Sequence, residues 1–121
     1  LSAEQLDRLL AGPSQEPVFI VELLRFAGDA GEAYQPYRDA LAPVVKEQGG
    51  WLVWRGAYDT FVMGESSPSF QEMVVTGYPS RASYLAVLAD QRIVAATKAR
   101  IDGLELHWIY AVGDAQSVLS P

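Results

Sequence analysis

The sequence predicts an α+β domain whose elements run strand–helix–strand–strand–helix–strand, with a short extra helix in front. Three observations carry this reading. Pro17 to Ala27 is a nearly unbroken apolar run, the period turns helical over Glu32 to Gln48 and again after Pro79, and three further strand patterns are set off by Gly and Pro. With 121 residues the chain can build one domain around one core.

Each element has a local cause. Ser2 to Ala11 reads as the extra helix: Ser2 and Gln5 make a capping-box pattern, Leu6, Leu9 and Leu10 form one apolar face, and Gly12-Pro13 ends it. In the run that follows, only Glu22 and Arg25 interrupt Val18, Phe19, Ile20, Val21, Leu23, Leu24 and Phe26, the pattern of a central strand buried on both faces. Gly28-Asp29-Ala30-Gly31 is a turn. In the next helix Tyr34, Tyr37, Leu41, Val44 and Val45 share a side, Pro36 falls in the tolerant first turn, Pro43 is expected to kink it, and Gly49-Gly50 stops it.

Trp51 to Met63 has a long strand pattern, with a bulge expected near Gly56. Gly64 to Phe70 reads as a loop and Gln71 to Tyr78 as the third strand. Ser80 is placed as the N-cap of the next helix, Asp90 as a break in it, and Gln91 to Ile101 as its second piece. Leu104 to Val112 alternates as a fourth strand. The expected organisation is therefore a helix over 1–13, a domain over 17–113 and a small polar tail over 114–121.

This order is the ferredoxin-like split βαβ arrangement, whose usual strand order 4-1-3-2 puts the most apolar strand in the middle. Two helices can cover only one sheet face. The other would leave a large apolar patch, so pairing with a second copy is expected.

Composition narrows the partners. The chain lacks cysteine, which excludes disulfides and thiolate chemistry and fits a cytoplasmic setting. Net charge is −6, with no basic cluster to attract nucleic acid. Nothing approaches the ~18 apolar residues of a membrane span, and the first ten residues lack a signal-peptide pattern. One histidine and no acid pair at ligand spacing argue against a metal site, and no Rossmann, phosphate-loop or Ser-His-Asp motif points to an organic cofactor or a triad.

Several short motifs occur in a specific order: Pro17-Val18, Glu22-Leu23-Leu24-Arg25-Phe26, Tyr34 and Tyr37, Ala42-Pro43, Gly49-Gly50, Trp54-Arg55-Gly56 and Tyr78-Pro79-Ser80-Arg81. Together they resemble an uncharacterised bacterial family, a domain of unknown function, in the dimeric α/β-barrel superfamily. The resemblance runs from about Ser2 to Val112. It implies two ferredoxin-like sheets facing each other across a dimer. Relatives in that superfamily include cofactor-free antibiotic-biosynthesis monooxygenases, muconolactone-isomerase-like proteins, haem-degrading enzymes and binding proteins, so no single reaction is implied. The chain departs from the family pattern at Glu22, where Asn is expected, at Gly77, where an acid is expected, and at Ala99-Arg100, where a His-Arg pair is expected.

Strand alternation locates the candidate site. On the last strand the more apolar side, Leu104 to Val112 in steps of two, is expected under the helices, which sends His107 to the opposite face. On the first strand Phe19, Val21 and Leu23 are expected under the helices, which sends Glu22 to that same opposite face. The two strands are neighbours, so Glu22 and His107 can hydrogen-bond and serve as a general base or proton shuttle; the competing reading is a pair that only satisfies itself in a dimer interface. Arg55 can hold a carboxylate or enolate, or can be an edge-strand charge that deters aggregation or pairs with an acid across the dimer. Trp54 and Tyr58 can line a pocket for a flat ring. Tyr34 and Tyr37 are placed in the core, and Arg92, Lys98 and Arg100 on a solvated helix face.

Two functions follow as expectations. One is an enzyme without metal or organic cofactor, acting as an isomerase, cyclase or monooxygenase on a small, largely apolar or aromatic molecule. The other is a homodimer that binds a small ligand without catalysis or is purely structural.

Overall fold

A computed structural model describes residues 1–13, 15–28 and 31–113. Asp29 and Ala30 of the expected turn, and the expected tail, lie outside them.

The chain runs α1 (Ala3–Leu10), β1 (Val18–Phe26), α2 (Gln35–Glu47), β2 (Trp51–Ala57), β3 (Glu72–Tyr78), α3 (Arg81–Ala89), α4 (Gln91–Ala95), α5 (Thr97–Gly103) and β4 (Leu104–Val112). The strands form one sheet ordered β2-β3-β1-β4, antiparallel throughout, with the apolar β1 inside as expected.

The helix boundaries follow from capping chemistry. Ser2 and Gln5 form the reciprocal capping box that opens α1. α1 then docks through Leu9, which is buried and whose carbonyl accepts a hydrogen bond from the Arg81 guanidinium at the start of α3 (3.0 Å). The Ser80 hydroxyl accepts from the Ser83 amide at the head of α3. Asp90 is extended and ends α3, and its carboxylate accepts the Arg92 amide (2.8 Å) and so starts α4. Pro43 lies inside α2, which continues through it. Gly49 just past its end has φ +79°, the left-handed stop that glycine takes without strain.

Three expectations change. β2 ends at Ala57, because the chain leaves the sheet there, and Val62 and Met63 are fully solvated. Its irregularity lies between Leu52 and Trp54 rather than at Gly56. The second piece of the last helical region is itself two helices, α4 and α5, which change phase at Ala96.

A further change reverses the sheet's faces. Val18, Ile20 and Leu24 are the residues buried beneath the helices, packed with Tyr34, Tyr37, Val44, Tyr84 and Val87. Glu22 shares their side, and His107 on β4 does too, so both point toward the helices rather than away. Phe19, Val21 and Leu23 of β1 face outward, as do Trp108 and Tyr110 of β4. Counting apolar residues misplaced the faces because both sides of β1 are apolar. The outer side carries the larger aromatics, and the helix side tolerates a Glu and a His because they bond each other.

Candidate functional site

Neighbouring strand register builds the central contact. Glu22 lies opposite Ile109 and Leu24 opposite His107, so Glu22 and His107 are diagonal neighbours on one face. Glu22 Oε1 stands 2.7 Å from His107 Nε2, with the two side chains 14% and 11% exposed. With Glu22 ionised, Nε2–H donates to the carboxylate. Nδ1 of His107 is buried and has no hydrogen-bond partner among the described residues. That tautomer leaves Nδ1 a bare lone pair, which costs less than an orphaned N–H.

The pair forms part of the wall of a cavity of about 410 Å³ between the sheet and the helices, with Ile20, Tyr37, Leu41, Tyr84 and Leu88 around it. The cavity leads into a groove between α1 and β4 that shares Ile20, Tyr84, His107 and Ile109. A separate groove of about 340 Å³ between α2 and the β2–β3 edge also reaches Glu22, so the carboxylate is approachable from two sides.

Arg55 faces that second groove. It pairs with Glu72 of its own chain (3.1 Å), and Glu72 also holds Arg38 (2.9 Å), which stacks against the Phe26 and Tyr34 rings. Arg38, Arg55 and Lys46 stand there against Glu72 and Glu22, so the groove has an excess of one positive charge. Trp54 and Tyr58 are not brought to the cavity. Trp54 is on the outer face, opposite Val75, and Tyr58 lies beyond the end of β2 with its ring edge-on to Phe70 (4.7 Å).

Tyr34, Tyr37, Tyr78 and Tyr84 surround this region. Burial raises the pKa of all four phenols above the ordinary 10.0, and the negative charge of Glu22 adds to the effect in each. The fold therefore favours their neutral form. That stabilisation is complete below pH 10 and lost as the pH rises through the raised folded-state values. In an alkaline absorbance titration the phenolate signal of these four is expected to appear together with unfolding. A gradual rise in a chain that stays folded would contradict it.

Sequence reasoning missed Arg100, which lines the cavity instead of a solvated face. A signal was present: Ile93, Thr97 and Arg100 follow the i, i+4, i+7 spacing of a single helix face, and Ile93 is buried. Among the described residues, no cluster of three or more His, Asp or Glu groups is arranged to hold a metal ion, and no helix is long and apolar enough to cross a membrane.

Residues 18–113 match the family described as Domain of unknown function (DUF1330). The chain belongs to this family. Membership agrees with the motif order from Pro17-Val18 to Tyr78-Pro79-Ser80-Arg81, and the match covers every element of the DUF1330 domain from β1 to β4. No curated protein is similar to the chain at a significant level. Among solved structures, the RPA0582 protein of unknown function from Rhodopseudomonas palustris is similar to it with a TM-score of 0.84 at 22% identity, over 97% of this chain and 96% of that one. SnoaB, a cofactor-independent oxygenase from Streptomyces nogalater, gives 0.61 at 12% identity over 87% and 99%. A dimeric protein of unknown function and ferredoxin-like fold from Bacteroides fragilis gives 0.52 at 11% identity over 84% and 99%. At these identities the likeness establishes a ferredoxin-like fold for this DUF1330 domain and leaves its chemistry to its own residues.

Proposed function

We propose that the 17–113 domain is a cofactor-independent enzyme that moves a proton on a small, largely apolar molecule held between sheet and helices. The observation that carries this is the 2.7 Å contact of Glu22 with His107 in the wall of a mainly apolar and aromatic cavity. His107 donates to one carboxylate oxygen and fixes its direction. The other oxygen is left to take a proton from a substrate carbon next to a carbonyl, and the C–H electrons pass to the carbonyl oxygen as an enolate. Returning that proton to another carbon completes an isomerisation. The neutral Tyr37 and Tyr84 hydroxyls can donate to the enolate, since burial keeps them protonated. Arg55 assists from the adjoining groove by its charge. SnoaB is described as a cofactor-independent oxygenase, and oxygenation of an enolate formed by the same deprotonation is the alternative chemistry.

The outer sheet face supports a second part of the reading. Trp51, Trp54, Trp108, Tyr110 and Val112 are each between 41% and 48% exposed there, a continuous apolar surface of the kind that meets a partner. A second copy of the chain covers it in a dimeric α/β barrel, and Trp54 belongs to that contact rather than to a ligand. The dimeric ferredoxin-like neighbour is consistent with this arrangement.

A thermal-shift screen of small metabolites tests the site. A compound that raises the melting temperature of the wild-type chain is expected to lose its effect on His107→Ala, while sizing still gives about twice the 13.2 kDa chain mass. A His107→Ala chain that melts at a lower temperature yet is stabilised by the compound as much as the wild type would favour a structural role for the pair.

A further inference from the structure

The cavity holds a charge that the proposed proton transfer does not use. Arg100 of α5 lines it together with Glu22 and His107, and none of the ion pairs among the described residues includes Arg100. The other guanidiniums of the helices α2 to α4 are engaged: Arg38 with Glu72, Arg81 with the Leu9 carbonyl, and Arg92 with Glu47 and Asp90. Arg100 is partly buried, and its positive charge acts on both Tyr37 and Tyr84, so it sits among the cavity's aromatic side chains rather than out in solvent.

An unpaired guanidinium turned toward a partly enclosed, apolar space asks for a counter-ion. Its planar fork matches a carboxylate. Glu22 lines the same cavity, yet no pairing between the two is made, so the cavity carries a carboxylate–imidazole pair and a separate cation. The whole chain is acidic, with net charge −6, and would repel an anion that had no such anchor. One free cation beside one carboxylate suits a single negative charge, since a second anionic group on the ligand would face Glu22. The other walls, among them Ile20, Leu41, Leu88 and Ile93 with Tyr37, Tyr78 and Tyr84, suit an apolar or aromatic body, and about 410 Å³ falls in the ordinary range for small-molecule sites.

We infer that the ligand of this cavity is a small monocarboxylate with an apolar or aromatic body, its carboxylate held by Arg100 and its carbon skeleton laid along Tyr37 and Tyr84 toward the Glu22–His107 pair. This rests on the reading of the cavity as the functional site and assigns Arg100 as its specificity determinant.

The test compares acids with their uncharged twins. Benzoate, phenylacetate and cinnamate are each titrated into the full chain beside the corresponding primary amide, and binding is followed by two-dimensional amide NMR, with Arg100→Gln and Arg100→Lys in parallel. At least one acid is expected to shift the resonances around Glu22 and His107 and to bind on the order of tenfold more tightly than its amide. Arg100→Gln is expected to lower the acid to the affinity of the amide without changing the amide. Arg100→Lys keeps the charge and is expected to retain part of the preference, which preserves the test should the Gln variant not fold. Equal affinity of acid and amide in the wild type, or a preference that survives in Arg100→Gln, overturns the role of Arg100 and leaves the cavity standing as a site. Silence of the cavity resonances toward every acid and every amide overturns both.

Discussion

Val21→Glu is expected to turn the proposed dimer into a folded monomer. Val21 lies mid-strand on the outer face of β1, between Val75 on β3 and Tyr110 on β4. In a lone subunit this side meets water, so a carboxylate there costs the fold little. In the barrel it would be desolvated without a partner, and two-fold symmetry would place it in the interface twice. An uncompensated buried charge costs about 3–5 kcal/mol, which weakens the dimer by roughly a hundredfold to a few thousandfold. Sizing at micromolar concentration should then report the single-chain mass with the near-ultraviolet spectrum of the folded chain retained. A variant still at twice the chain mass would remove the outer face as the interface. Because the experiment leaves the helix side of the sheet untouched, it separates assembly from the cavity.

The second large effect concerns the pair itself. Among the described residues, Glu22→Ala would leave His107 with neither ring nitrogen bonded, since Nδ1 already lacks a partner there and Nε2 would lose its acceptor. Stranding one polar group in a nearly buried place costs about 1–3 kcal/mol, whereas removing both groups relieves most of that cost. Glu22→Ala and His107→Ala are therefore expected to destabilise singly, and the double variant to cost less than their sum. The coupling should be on the order of 0.5–3 kcal/mol by denaturant unfolding. Effects that simply add would mean that the two side chains do not act as a unit, and the proton-transfer reading would lose its base.

The two experiments address opposite faces of one strand, and the sequence was least informative about those faces. Its local chemistry was clear. The capping box of Ser2 and Gln5, the Ser80 cap, the break at Asp90 and the left-handed stop at Gly49 all lie where short-range patterns put them, because each depends on groups only a few residues apart. That Glu22 and His107 share one face of neighbouring strands was also legible, but their contact depends on the register between β1 and β4, which alternation does not give. Arg100 reads by its charge as part of a solvated face with Arg92 and Lys98, although its spacing from the buried Ile93 places it on the cavity side.

Taken alone, then, the sequence determined the order of strands and helical regions, the central place of β1, the family and the common face of Glu22 and the lone histidine. The tertiary structure decided which side of the sheet the helices cover, and with it whether the pair looks into a cavity or into an interface. The reason is physical. A strand apolar on both sides gives alternation nothing to choose between, and the choice is made by how the large aromatics and the helix faces fit together in space.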